Sequence, residues 1–314
     1  MLAIINVTAP FFALVLCGFL AARFRLLPDN AVPALNTFVL YFALPCMLFR
    51  FAAGTPFSQI FNLPVFFAYM CTGLAMLAIF VLSIRYAAHE GLREAAFAAL
   101  AVSWSNWGYM GFALLPPMLG QGALAPLIAG GMADLLVIVS AALALASLQD
   151  SGGQGVRAAL KGAALRVAKN PLIWSVIAGA VFSAFDRMLP AAADQFAKLL
   201  GNSAGPVALF TIGVSLYRPG THPWRGDVLM MTGAKLLLHP YIAALMAMYL
   251  FGLDKTVVSV LVLMAAMPVA GTVFLFAERQ GANSERIAAA ILVTTALSFF
   301  SFSALCWAFG IQVG

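Results

Sequence analysis

The sequence predicts an all-α integral membrane protein: ten transmembrane helices in two inverted five-helix repeats, with crossed, broken helices four and nine. Three observations predict it. The 314 residues are 63% hydrophobic and 9% charged, whereas soluble domains carry about a quarter charged residues. Apolar runs able to span ~30 Å of hydrocarbon recur along the whole chain. Two of these runs are interrupted at matching places, the pattern by which transporter repeats mark a binding site.

The runs fall at approximately 4–23, 31–51, 62–84, 95–119, 123–147, 171–189, 203–217, 228–251, 256–279 and 286–309. The first begins Met1-Leu2-Ala3-Ile4, with no basic region ahead of it and no small-residue cleavage site before Arg23. It reads as a retained helix, not a signal peptide. The seventh is the weakest, since Ala204-Gly205-Pro206 starts it late and Arg218 ends it early. Cys17, Cys46, Cys71 and Cys306 sit inside apolar runs without the paired spacing of a zinc or redox site, and read as small core residues. The longest polar stretch, Gln149 to Asn170, is too short for a soluble domain. It divides the chain into a first repeat (1–150), a cytoplasmic linker (151–170) and a second repeat (171–314).

Positive residues in short loops stay on the cytoplasmic side. Loops after odd-numbered runs hold twelve Lys and Arg residues, including Arg157, Lys161, Arg166 and Lys169 in the linker; loops after even-numbered runs hold four, Arg50, Arg187, Lys198 and Lys255. Odd loops are therefore expected in the cytoplasm, with both termini outside. Most of the net charge of +6 lies in those loops, so no nucleic-acid partner is needed to explain it. Five spans per half make the second half enter from the opposite face.

The first interruption is Ser105-Asn106-Trp107-Gly108-Tyr109-Met110-Gly111 and the second Met267-Pro268-Val269-Ala270-Gly271-Thr272. A shift of 160 residues places Gly111 on Gly271. Each break comes about twelve residues into its run, or ~18 Å at ~1.5 Å per residue, near mid-membrane. No water there satisfies freed N–H and C=O groups. Two half-helix N-termini converging on one cavity offer orphan N–H donors and partial positive charge, which suits a carboxylate or another small anion. Asn106, Tyr109, Gly111, Pro268, Gly271 and Thr272 are the candidate substrate-binding residues. Asn106 and Thr272 have the alternative role of capping the broken ends. Trp104 and Trp107 flank the first break, while Trp224 and Trp307 fit an interfacial belt.

Ionisable groups inside spans cost ~3 kcal/mol or more near mid-bilayer and are functional candidates by default. Asp134 lies about ten residues into the fifth run, and the same shift matches it to Thr294, beside Thr295. It is the candidate for proton or sodium coupling, or else the ion-pair partner of Lys235 in the eighth run. His239-Pro240 lies mid-span, where His239 either titrates or bonds a carbonyl freed by the proline kink. Thr294, Thr295 and freed carbonyls are alternative ligands for a sodium ion near Asp134; no other metal or cofactor is expected. Glu278 and Arg279 close the ninth run as an interfacial pair.

The run Asn36-Thr37-Phe38-Val39-Leu40-Tyr41-Phe42-Ala43-Leu44-Pro45, Asn106 with Gly111, Ala265-Ala266-Met267-Pro268 and Phe210-Thr211-Ile212-Gly213-Val214-Ser215-Leu216 together resemble the auxin efflux carrier family, which includes plant PIN proteins and bacterial members linked to malonate or malate. The resemblance implies a scaffold of helices one, two, six and seven, a mobile transport domain from the rest, homodimers and elevator-like movement. Asn106 stands where plant carriers place a proline, and their long central cytoplasmic loop is missing, which argues against auxin itself. The expected function is secondary transport of small organic anions, carboxylates such as malonate or malate or auxin-like acids, by elevator-type alternating access. An intramembrane serine hydrolase built on Ser215 and His239 is one alternative, although Gly-x-Ser equally suits helix packing. A channel is the other, but no repeated filter or ring of charge is visible. Pro45 and Gly205-Pro206 are candidate flexing points.

Overall fold

A computed structural model describes residues 2–28, 30–54, 62–87, 89–148, 171–185, 189–217 and 226–309. The expected linker at 151–170 and Trp224 lie outside the described residues. The described chain is helical throughout: α1 (Leu2–Arg23), α2 (31–54), α3 (Leu63–Ala87), α4 in two halves (Leu92–Ser103 and 107–119), α5 (Gln121–Leu148), α6 (Pro171–Ala184), α7 (Ala191–Leu216), α8 (Gly226–Leu250), α9 in two halves (Lys255–Ala265 and Thr272–Arg279) and α10 (Ser284–Ala308). Among the described residues, α2, α3, α5, α7, α8 and α10 are long and apolar enough to cross a bilayer, and shorter apolar helices lie in α1, α6 and the first half of α9. The protein is an integral membrane protein.

Helix α7 departs from the sequence expectation. Hydropathy starts this run at 203, whereas the helix begins at Ala191 and runs 26 residues. Its first turns carry Asp194, Lys198 and Asn202, which depress hydropathy, but Ala197, Gly201 and Ala204 share a buried face and Asp194 pairs with Arg50 of α2 at 2.7 Å. One-sided packing extends the helix where average apolarity does not. Neither Pro206 nor Pro45 interrupts its helix. Pro45 comes two residues after the end of a π turn at Val39–Ala43, and Pro240 two after one at Ala234–Leu238. A widened turn is one way the backbone accommodates a residue without an N–H.

Packing sorts the helices into two groups. Helices α1, α2, α6 and α7 pack on one another, and α3, α4, α5, α8, α9 and α10 form the second body; α7 meets α4 and α1 meets α10 across the boundary. Small residues hold the first group together. Gly18 faces the carbonyl of Phe210 and Gly213 that of Val15, so α1 and α7 touch backbone to backbone, and Gly179 of α6 faces the carbonyl of Phe49. Lipid offers little hydrophobic drive between helices, so close approach at small residues supplies van der Waals contact instead. Gly213 thus has a packing role.

The second group contains the deepest part of the molecule. Every residue from 95 to 107 and from 258 to 270 is buried, including both places where the helices unwind. The first halves of α4 and α9 are 12 and 11 residues long, so the breaks come after nearly equal lengths of helix. Pro268 has no N–H and disfavours helical backbone at Met267, which stops α9 at Ala265. Helix α4 stops at Ser103, where Trp104 turns extended (φ −107°, ψ 113°), and resumes through a π turn at Trp107–Gly111.

Candidate functional site

The two breaks bond to each other. The N–H of Asn106 donates to the carbonyl of Pro268 at 2.9 Å and the N–H of Ala270 donates to the carbonyl of Trp104 at 3.2 Å, forming an isolated antiparallel bridge between Ser105 and Val269. The N–H of Val269 is taken by Thr294 Oγ1 at 3.2 Å. Buried polar backbone is thereby paired, as a water-free interior requires. The reciprocal bonds centre on residues 164 apart, one helical turn away from the 160-residue match of Gly111 to Gly271. The two breaks differ in extent: α4 stops at Ser103 and resumes at Trp107, whereas α9 stops at Ala265 and resumes only at Thr272.

Beside the bridge lie two recesses that share Asn106, Tyr109 and Thr272 as lining. One, with ≈ 490 Å³ of open space, is closed from the first helix group by Asn36 of α2 and by Thr211 and Ser215 of α7. The other, with ≈ 790 Å³, is more apolar and walled by Trp104, Trp107, Tyr41 and Phe276. Trp104 stacks on Phe276 at 6.0 Å and 15°. The Tyr109 hydroxyl donates to Asn36 Oδ1 at 3.1 Å, tying α4 to α2. Neither Asn106 nor Gly271, the residues at the caps of the resumed halves, makes a side-chain cap bond, and no capping bond from Thr272 stands in place of one. The capping alternative for Asn106 is therefore not what this fold uses: its side chain lines the recesses while its own carbonyl accepts the N–H of Met110 at 2.9 Å.

Next to the bridge, and joined to the larger recess through Ser105, sits a cluster of buried polar groups. Lys235 Nζ donates to Ser105 Oγ at 2.6 Å and contacts His239 Nδ1 at 2.8 Å. Ser105 Oγ also approaches the Tyr69 hydroxyl at 3.5 Å and the carbonyl of Ala265 at 3.4 Å. With Lys235 as donor, His239 is neutral and its proton sits on Nε2. Asp134, wholly buried, lies within electrostatic reach of Lys235 and Tyr69 without a direct ion-pair contact. Neither carboxyl oxygen has a hydrogen-bond partner, and nor does the Trp107 indole N–H that approaches it outside bonding geometry. Asp134 opens a π turn (Asp134–Ile138), Lys235 lies in another (Ala234–Leu238) and Tyr109 in a third (Trp107–Gly111). Such turns occur disproportionately at functional sites.

A family model described as "membrane transport protein" matches residues 3–306. The chain belongs to this family, that of the PIN-like auxin efflux carriers. A Rhizobium meliloti (strain 1021) protein named "putative malonate transporter" is 31% identical over 314 residues, covering 98% of this chain and 96% of its own. The "uncharacterized transporter YfdV" of Escherichia coli (strain K12) is 24% identical over 300 residues, 92% of each chain. The "lysosomal cholesterol signaling protein" of Mus musculus is 23% identical over 305 residues, 91% of this chain and 35% of that protein. Family and bacterial relatives are named as transporters and not as enzymes.

Within this transport family member, the sequence-derived residues fall into three places. Asn106, Tyr109, Gly271 and Thr272 come together in the first recess. Pro268 contributes its carbonyl to the bridge, and Gly111 packs against Leu127 outside both linings. Asp134, Lys235 and His239 share the buried cluster; His239 meets Lys235 where the sequence offered a carbonyl freed by the kink. Thr294 and Thr295 donate within α10, to Ala290 and Ile291 at 2.6 Å each. Ser215 donates to Ile212 at 2.7 Å and lines a recess that His239 does not reach, so the serine–histidine pairing does not form. Sequence reasoning missed Ser105, Tyr69 and Asn36. Tyr69 and Asn36 left one signal each, a hydroxyl or amide inside an apolar run; Ser105, in an interruption already full of polar residues, left none of its own.

Proposed function

We propose that this protein is a secondary carrier of small organic anions, carboxylates of the malonate or malate kind, working by elevator-type alternating access. The observation that carries the reading is the reciprocal backbone bonding of two broken helices beside recesses lined by Asn106, Tyr109 and Thr272. Each resumed half-helix starts at this place, and uncapped N–H groups with the positive end of the helix dipole favour a carboxylate. The relative named for malonate supports the substrate class. The reading places ten spans in two inverted repeats with α4 and α9 crossing and both termini outside the bacterial inner membrane, as a homodimer.

The division into two helix groups supports the elevator. The small-residue contacts of α1, α2, α6 and α7 make a rigid scaffold, and the recesses lie where it faces the second group, so sliding one group past the other re-exposes the site. The Tyr109–Asn36 bond crosses that boundary and would have to break in each cycle. Counterflow in proteoliposomes tests the function: unlabelled malonate inside should draw labelled malonate in, saturably. A flux without saturation or exchange would make the protein a channel, and a chemical product would make it an enzyme.

A further inference from the structure

We propose that Lys235 is the resident cation of the crossed breaks, which makes the carrier independent of sodium, and that Asp134 takes up the proton that travels with the substrate anion. The proposal rests on the carrier reading above and adds its coupling ion.

Apart from those of Asp134, the oxygens that the breaks and α10 could offer a sodium ion each already hold a hydrogen bond. Hard cations bind by gathering oxygen ligands. Here Ser105 Oγ accepts from Lys235 at 2.6 Å, the Trp104 and Pro268 carbonyls accept backbone N–H groups across the bridge, Thr294 Oγ1 serves the Val269 N–H and the Ala290 carbonyl, and Thr295 Oγ1 bonds the Ile291 carbonyl. An ammonium hydrogen-bonded to Ser105 also repels a second cation strongly in a low-dielectric interior. Position and charge that sodium would supply come from the end of a side chain held by π-turned α8.

Asp134 then stands out. It is fully buried with both oxygens unpartnered, and a group of that kind in a native fold calls for an explanation such as a functional role. The titratable groups within its electrostatic reach are Tyr69 from α3 and Lys235 from α8, with His239 held on the far side of that ammonium contact, and the Trp107 indole approaches from α4. His239 is bonded to the ammonium and neutral, and Tyr69 approaches Ser105. Lys235 and charged Asp134 together present no net charge to the recess. A proton on Asp134 leaves the ammonium uncompensated next to Ser105, which itself lines the larger recess, and the field there turns positive. An anion in the recess and a proton on Asp134 therefore each strengthen binding of the other by the same factor, as linkage requires. The proton enters from the aqueous side with the substrate and leaves with it on the other; no bond other than O–H forms or breaks.

The test uses full-length protein in proteoliposomes with labelled malonate, comparing counterflow with accumulation driven by a proton gradient or by a sodium gradient. An inward gradient of one pH unit should concentrate malonate about ten-fold for one proton per anion, and a sodium gradient at equal pH should add nothing. Asp134→Asn should still exchange malonate but accumulate it no more than about one-fold, and its exchange should lose the wild-type decline with rising pH. Sodium-driven accumulation, or proton-driven accumulation by Asp134→Asn, overturns the proposal. Wild-type counterflow is read separately: its failure counts against the malonate assignment. In that event the melting temperature of purified protein decides, in sodium against choline chloride. Equal values in wild type with a sodium-dependent rise in Lys235→Gln support a resident cation, and a sodium-dependent rise in wild type overturns it.

Discussion

The two breaks bond to each other, yet they are built from different materials. The break in α4 is made of side chains: Ser105 reaches down to Lys235, Asn106 and Tyr109 reach into the recesses, and Trp104 and Trp107 wall them. The break in α9 carries only apolar side chains from Ala266 to Gly271, with Thr272 alone adding a hydroxyl to the lining. Paired breaks therefore do not entail equivalent chemistry. One half supplies the polar side chains, and the other supplies a proline-stopped strand of carbonyls and amides for the first to lean on.

Substitutions can break or sharpen that contrast. The largest effect is expected at Asn106→Ala, which removes the recess amide; a hydrogen bond to a charged group contributes ~1.5–3 kcal/mol, so kcat/KM for malonate exchange should fall by about 10²-fold. Equal loss from any substitution between Ala266 and Gly271 would abolish the asymmetry. Next comes Ser105→Val, which leaves the Lys235 ammonium without its 2.6 Å partner. An unsatisfied buried donor costs ~1–3 kcal/mol, more when charged, and should lower the melting temperature of purified protein as well as transport. Thr272→Val should raise KM by roughly three- to ten-fold, the scale of one neutral hydrogen bond, and Thr272→Ser should restore it. Gly271→Ala should matter least, within about two-fold in exchange, because φ is −59° and a Cβ there meets nothing within 4 Å; ten-fold loss would mean that the substrate presses on that backbone.

A second contrast separates the buried cluster from the charges at the ends of the helices. Arg286, at the start of α10, is buried yet paired with Glu90 at 2.8 Å and Glu94 at 3.3 Å, joining the start of α10 to the start of α4. The buried guanidinium of Arg286 thus has opposite charges in contact. At the cluster Lys235 has only neutral partners in contact, and Asp134 has none. Replacing Glu90 with Gln should cost at most ~1 kcal/mol of stability, since its carboxylate is partly exposed and screened, and should leave the pH dependence of exchange unchanged.

Much of this was legible from the residues in order. Hydropathy, the interruptions at Ser105–Gly111 and Met267–Thr272, and isolated ionisable residues in apolar runs are local signals, and they gave the helical membrane class, the paired breaks and Asn106, Asp134, Lys235 and His239 as residues of interest. Tertiary structure alone decided who meets whom. Ser105 and Lys235 are 130 positions apart, Tyr109 and Asn36 73, and a serine in a polar loop carries no mark of its partner. The start of α7 was hidden for the same reason, because a helix face buried against α2 outweighs the polar residues that lower its average. A chain encodes where it is apolar and where it must unwind through local free energies; which orphaned groups then satisfy one another depends on packing, and packing is a property of the whole fold.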